Sequence, residues 1–329
     1  MLRFTPWLIA ASFLGCQPCS GCGEPEFPND PDDPVIGETD PPEDTAETAP
    51  PVDTAPPPPC DVPETEPNDE MDQANALPLE QVACGGFTQE GDGEWLVFPG
   101  EDAEWLRVEV DAASMGSAAD VSFSIMSLES FAVTVISPTM YWEDPWLVFP
   151  ALGDSEYHLY LSERAGQYGD DHEWEVLVSE DKAPVEWTLA EVEDNDVAAN
   201  AQTVEAGETV LGVISEPEDY DWYHIPVPAR KDGGKISWEI TVEAYTSGSP
   251  LASRITLYDD QIVGAELDDV DWLATVFADE ELFDRDPRLE IQSEGAANWY
   301  LVIKNPTSSG SDRGSPFHWY AITVENDVE

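Results

Sequence analysis

Positive charge is what this sequence has least of: 12 Lys and Arg stand against 70 Asp and Glu in 329 residues, a formal net charge of -58. Nucleic acid, whose phosphates need basic side chains, is excluded as a partner, and an anionic membrane surface likewise. So much like charge repels itself in a compact state and favours bound cations or a salty medium that screens it. Histidine is scarce, with four residues, and cysteine numbers five. No G-x-S-x-G elbow, H-E-x-x-H helix or Gly-rich phosphate loop occurs; Gly310-Ser311-Asp312-Arg313-Gly314 has the wrong central residue. Carboxylate pairs abound, but among so many acids a chance pair is no sign of a glycosidase. These absences point away from catalysis. A hydrophobic fraction of 41% with 12 Trp still suffices for real cores, and the length suggests two domains.

The N-terminal residues read as an export signal over 1–15: one positive charge at Arg3, an apolar run from Trp7 to Leu14, then Gly15-Cys16. That run is far shorter than the roughly 20 residues of a spanning helix. Ser12-Phe13-Leu14-Gly15-Cys16 resembles the lipobox of bacterial lipoproteins, with Phe13 where Leu is usual. The resemblance implies that Cys16 is lipidated and becomes the mature N-terminus, and that Gln17 directs the protein to the outer membrane. Membrane contact is then through the lipid alone. Cys16, Cys19 and Cys22 mimic a cluster ligand set, which lipidation of Cys16 argues against. Cys19, Cys22, Cys60 and Cys84 remain, an even number in an oxidising compartment with three connectivities. Residues 16–59 are dominated by Pro, Asp, Glu and Thr and cannot bury a core, so they read as a disordered, semi-rigid stalk.

After the stalk the chain repeats itself. Glu64-Thr65-Glu66-Pro67-Asn68-Asp69 returns as Glu191-Val192-Glu193-Asp194-Asn195-Asp196, 127 residues on. The same offset carries Gly85 to Gly212, Asp92 to Asp219, Glu94 to Asp221 and Trp95 to Trp222. It grows to 132 at Phe123 and Ile255, to 142 at Leu159 and Leu301, and to 146 at Trp174 and Tyr320, so loops lengthen while strands are kept. Paired positions are apolar and spaced by two, the signature of half-buried strands. The expected fold is all-β: two tandem antiparallel, jelly-roll-like β-sandwiches over residues 60–182 and 183–329. Helix is limited to a turn after Asp69 and Asp196 and a short stretch over residues 278–285.

In an extended segment side chains alternate faces, so Glu64, Glu66 and Asn68 point one way, with Pro67 holding Glu66 extended. Calcium takes six to eight oxygens at about 2.3 to 2.6 Å, and such an edge begins to supply them. Equally, Asn68-Asp69 and Asn195-Asp196 suit the capping of a helical turn, with the glutamates facing water. The order E-x-E-x-N-D, a small residue near Ala74, Gly85, D-x-[DE]-W and a late Y-x-L-x-L resembles the bacterial pre-peptidase C-terminal domain. Related collagen-binding domains hold calcium at the module's N-terminal edge. That resemblance implies one calcium per module, with Glu64, Glu66, Asn68 and Asp69 as ligands in the first copy and Glu191, Glu193, Asn195 and Asp196 in the second. Asp92 and Asp219 match the family's downstream acid, and Glu94 and Asp221 are alternative ligands.

The offset places Cys60 on Trp187 and Cys84 on Leu211, so each pair is expected to touch: a Cys60–Cys84 disulfide in one copy, worth about 3 kcal/mol, and Trp–Leu packing in the other. His172 and His318 match in position and read as structural; His158 and His224 read as exposed. Trp272 reads as core, whereas Trp142 and Trp146 are candidate ligand contacts. The reading is a non-catalytic surface lipoprotein whose two calcium-stabilised modules bind an extracellular protein or polysaccharide. The competing readings are an envelope spacer adapted to salt and, least favoured, an accessory of a secreted hydrolase or an unrecognised one.

Overall fold

The computed structural model describes residues 60–328 except 101–102, 128–131, 137–143, 152–155, 217–218, 266, 278–285 and 306–313, with backbone alone for 132–136 and 268. The expected leader, Cys16, the stalk, Cys19, Cys22, Trp142 and the stretch 278–285 lie outside the described residues. Among the described residues no helix is long and apolar enough to cross a membrane.

Among the described residues twenty strands form four sheets. The first ten are β1 (Val62–Pro63), β2 (Asn75–Ala76), β3 (Val82–Gly86), β4 (Gly93–Pro99), β5 (Trp105–Asp111), β6 (Val121–Ser127), β7 (Ala132–Ile136), β8 (Trp146–Pro150), β9 (Glu156–Glu163) and β10 (Glu173–Asp181). They build two sheets in the orders β1-β3-β10-β5-β8 and β2-β4-β9-β6-β7. The others are β11 (Leu189–Ala190), β12 (Gln202–Thr203), β13 (Glu208–Val213), β14 (Asp221–Val227), β15 (Ile236–Glu243), β16 (Arg254–Tyr258), β17 (Ala274–Phe277), β18 (Arg288–Ser293), β19 (Ala297–Lys304) and β20 (Trp319–Asn326). Their sheets, β11-β13-β20-β15-β18 and β12-β14-β19-β16-β17, repeat the same order ten strands on. The duplication read from residue offsets is therefore a duplication of topology.

Side-chain alternation explains the layers. Along β4, Glu94, Leu96 and Phe98 point inward and are buried, while Trp95 and Val97 lie on the outer face. Leu96, Val108, Phe123, Leu159 and Val176 fill one core; Tyr223, Ile240, Ile255, Leu301 and Ile322 fill the other. The ladders are antiparallel except at the sheet edges, where β1 runs parallel to β3, β2 to β4, β11 to β13 and β12 to β14. This amends the purely antiparallel expectation. Parallel edges arise because β1 and β2 enter opposite sheets, as β3 and β4 then do. Three-residue 3₁₀ turns follow the repeated motif at Met71–Gln73 and Ala198–Asn200. Cys60 and Cys84 form a disulfide that fastens the chain ahead of β1 to β3. At the matching edge Trp187 is 41% exposed, so it forms no buried Trp–Leu seal there. His158, expected at the surface, is buried on the outer face of β9.

The sandwiches lie in one compact unit, Pro56–Glu329, and share a seam. Strand β8 ends its sheet, and an open edge needs a cover. Val148 supplies both hydrogen-bonding groups: its N–H donates to the Gly248 carbonyl at 2.9 Å, and its carbonyl accepts from Trp319 Nε1 at 2.7 Å. Trp105 meets Trp319 edge-on at 5.2 Å between ring centroids. Phe317, from the second repeat, enters the first core and lies 5.0 Å from Phe149 between centroids. Trp146, expected as a ligand contact, is taken up here: the Arg107 guanidinium covers its ring at 4.7 Å, and its indole packs against the shared Trp105–Trp319 cluster.

Removing a buried phenylalanine costs about 3–5 kcal/mol. Phe317→Ala is therefore expected to lower the denaturation free energy of the first sandwich by about that much although the residue belongs to the second repeat. A denaturant titration that shows loss only in the second sandwich contradicts the shared core.

Candidate cation centres at the sandwich edges

Residues 64–74 carry the chain from β1, on the edge of one sheet, to β2, on the edge of the other. Residues 87–92 make the same crossing from β3 to β4. Because β1 parallels β3 and β2 parallels β4, both crossings lie at the same end of the sandwich. Asn68 sits in the first crossing, Asp92 closes the second, and Glu94 opens β4 facing inward. The Trp95 N–H donates to the Asn68 carbonyl at 3.1 Å, as the Trp222 N–H donates to Asn195 at 3.1 Å, so the two crossings are stitched together alike in both copies.

Glu64 and Asp92, and Glu191 and Asp219, are held from behind by backbone donors. The Gly86 N–H donates to Glu64 Oε2 at 3.0 Å and the Val213 N–H to Glu191 Oε2 at 2.9 Å. Asp92 Oδ2 accepts from the Thr88 N–H at 2.5 Å, and Asp219 Oδ2 from the Ser215 N–H at 2.6 Å. Gly85 makes room: a Cβ there would lie 1.9 Å from Glu64 Oε2, and one at Gly212 would lie 2.9 Å from Glu191 Oε2. The Asn68 amide donates to Glu94 Oε2 at 2.7 Å, and the Asn195 amide to Glu191 Oε1 at 3.0 Å. An amide nitrogen facing a carboxylate leaves Oδ1 turned the other way.

The opposite sides of these groups have no donors. Asn68 Oδ1, Asp92 Oδ1 and Glu94 Oε1 are buried and accept no hydrogen bond, and the same holds 127 residues on for Asn195 Oδ1, Asp219 Oδ1 and Asp221 Oδ1. Leaving a buried acceptor unsatisfied costs about 1–3 kcal/mol, more when it is charged. Oxygens of Glu64, Glu66 and Glu94 lie within 4.8 Å of one another, as do those of Glu193, Asp219 and Asp221. Points on a shell of radius about 2.4 Å are at most twice that apart, so each group fits one hard cation's coordination sphere.

Electrostatics agree. Burial, then the neighbouring Glu64 and Asp92, push Glu94 up to about 9. Burial and the Glu191 and Asp219 charges push Asp221 up to about 11, and burial with Glu191, Asp219, Asp196 and Asp194 lifts Glu193 to about 7. Burial also raises Glu66. The charges acting on Glu94, Glu193 and Asp221 are all negative. Chemically the arrangement does one thing: it attracts a proton or a cation.

The structure thus brings together Glu64, Glu66, Asn68, Asp92 and Glu94 in one copy and Glu191, Glu193, Asn195, Asp219 and Asp221 in the other. Asp69 and Asp196 are exposed and join neither close group, because the chain turns outward after the asparagine into the 3₁₀ turn. Glu94, read as an alternative ligand, is central; strand parity with Leu96 and Phe98 already pointed it inward. The copies differ behind the site. Tyr320 Oη donates to Asp221 Oδ2 at 2.6 Å, and Tyr223 Oη to Glu191 Oε1 at 3.1 Å, where the first copy has Trp174 and Leu96. Tyr223 Oη and the Asn195 amide both donate to Glu191 Oε1, and Glu191 is not part of the second copy's close group as Glu64 is of the first's.

No family model matches the chain. No curated protein matches it either. Among solved structures, the pre-peptidase C-terminal domain of collagenase from Bacillus anthracis is 13% identical, covering 38% of this chain and 94% of that one with a TM-score of 0.28. The tandem CBM51 modules of the family 98 glycoside hydrolase from Streptococcus pneumoniae SP3-BS71 are 10% identical, covering 73% and 88% with a TM-score of 0.20. The CUB1-EGF-CUB2 domain of human MASP-1/3 is 8% identical, covering 74% and 99% with a TM-score of 0.18. At such scores the fold rests on this chain's own sheets.

A raised folded-state pKa means the native protein binds protons that the unfolded chain has released. Stability from these groups is complete below the ordinary 4.5 of Glu94 and 3.8 of Asp221 and is lost as pH rises through about 9 and about 11. Chelator-treated protein is expected to lose up to about 1.4 kcal/mol per pH unit for each carboxyl titrating between pH 5 and 9. Glu94→Gln with Asp221→Asn should flatten that slope. A profile equally steep in this double variant assigns the loss to other groups.

Proposed function

We propose that the chain is an exported, lipid-anchored, non-catalytic binding protein whose two sandwiches are each stabilised by one calcium ion. The observation that carries this reading is the set of six buried, donorless oxygens at matching positions in the two copies. Glu64, Glu66, Asn68, Asp92 and Glu94 would hold the ion in the first sandwich, and Glu193, Asn195, Asp219 and Asp221 in the second, with Glu191 behind. All are oxygen donors, the chemistry of calcium rather than of zinc or copper. The ion supplies charge neutralisation, and the chain does the rest: backbone N–H groups aim the carboxylates, and the crossings at 64–74 and 87–92 close around them. Asp69 and Asp196 are left for the sandwich surface.

Lipid attachment at Cys16, export to the outer membrane and display on the 16–59 stalk are supported by the sequence features that first suggested them. The likeness to pre-peptidase C-terminal modules is supported by the motif order and by cation-site oxygens standing at the motif's positions. A binding role, with an extracellular protein or polysaccharide as ligand, is supported by two all-β modules without catalytic motifs.

Binding to the native state alone raises stability by about 2.7 kcal/mol at a hundredfold excess over Kd. With one site in each sandwich the gain is about twice that, and for a molecule of this size it is a rise of roughly 10–20 °C in melting temperature on adding saturating calcium to chelated protein. Magnesium, which demands a tighter octahedron, should give less. Glu94→Gln combined with Asp221→Asn should abolish the rise; an undiminished rise in that variant places the calcium elsewhere.

A further inference from the structure

The outer face of sheet β12-β14-β19-β16-β17 carries a second kind of chemistry. Trp222, Val302, Thr256 and Tyr258 lie along it, opposite the core-facing Tyr223, Leu301, Ile303 and Leu257. Ile262, Leu267 and Val270, from the connection after β16, pack against this face and leave a groove of about 760 Å³. At its rim Trp272, expected in the core, is 56% exposed. Asp196 and Asp271 also line the groove.

Two of the chain's few cations stand here side by side. Arg254 and Lys304 are direct cross-strand partners. Like charges so placed repel, and a sheet does not gain stability from them. Arg254 is steadied by Thr275 Oγ1 at 3.3 Å and by the Phe277 ring at 4.3 Å, and the Lys304 ammonium lies 5.4 Å from the centroid of Tyr220. The first sandwich is an internal control. Its corresponding cross-strand pair is Ser122 and Ser162, whose hydroxyls meet at 3.1 Å. The fold therefore does not need cations at these positions.

We infer that this groove binds a short carboxylate-bearing oligosaccharide of the uronate class, held at short range by the Arg254–Lys304 pair against the chain's overall negative charge, a specific form of the binding role proposed above and dependent on that reading. Arg254 and Lys304 receive the sugar carboxylate, a planar anion suited to a guanidinium fork. The exposed face of Trp272 stacks against the C–H face of a ring. Asp196 and Asp271 accept hydrogen bonds from hydroxyls, which an acidic peptide does not offer in number. Asp196 follows Asn195 of the cation centre directly, so the groove and that centre share one crossing of the chain.

The test uses the full chain at fixed ionic strength, with oligogalacturonate, its carboxyl-reduced neutral counterpart and poly-glutamate as probes, titrated calorimetrically with calcium and with chelator. Oligogalacturonate should bind and the other two should not. Arg254→Ser and Lys304→Ser, which install what the first sandwich already carries, should each weaken binding about tenfold while leaving the melting temperature unchanged. Trp272→Ala should weaken it comparably. Binding of the neutral oligomer with equal affinity, or of poly-glutamate in place of the uronate, overturns the assignment, as does no binding of oligogalacturonate at all. Binding that vanishes with chelator yet is indifferent to Arg254→Ser and Lys304→Ser would move the ligand to the cation centre. Failure of the calcium reading is seen separately, as a melting temperature that calcium does not shift.

Discussion

Carboxylates crowded inside a protein must share protons or acquire a positive partner, and the ends of these two sandwiches are built around that constraint. Backbone N–H groups grip the outer oxygens of Glu64 and Asp92, and of Glu191 and Asp219, while the inner oxygens converge with Asn68 and Asn195 and find no donor. The rest of the fold accommodates this. Gly85 and Gly212 give up side chains so that a carboxylate can lie against β3 or β13. The edge strands run parallel because the chain crosses between sheets twice at one end, and those crossings hold the acids.

The second physical theme is asymmetry imposed on a symmetric plan. The two repeats have the same strand order, yet the second carries Phe317 and Trp319 where the first carries Asp171 and Glu173. These two residues fill the first core and cap the β8 edge, so one module lends apolar surface to its neighbour. Likewise Tyr223 and Tyr320 replace Leu96 and Trp174 behind the acidic cluster, and Arg254 and Lys304 replace Ser122 and Ser162 on the outer sheet. Each exchange keeps the backbone and changes what a face can touch.

Much of this was legible in the sequence because it is local or periodic. Alternation gave the strands, fixed offsets gave the two copies, and the repeated Glu-x-Glu-x-Asn with the downstream Asp-x-Glu/Asp gave most of the acids that converge. What escaped was whatever depends on sheets meeting. The parallel edges follow from which sheet each strand joins, and no residue pattern states that. Trp146 and Trp272 look alike as aromatic residues near loops, but β8 abuts the second sandwich and half-buries one, while the other stands at the rim of the groove beside Ile262, Leu267 and Val270. Their place in the motif marks Asp69 and Asp196 as ligands; the turn that follows the asparagine leaves both exposed.

The most direct measurement is crystallography of the two-sandwich protein grown with calcium, using anomalous scattering to locate the ion. The account predicts one peak per sandwich, within coordination distance of Asn68, Asp92 and Glu94 in the first and of Asn195, Asp219 and Asp221 in the second. Sites filled by water or closed by short carboxyl–carboxylate hydrogen bonds, with no peak at saturating calcium, would contradict it.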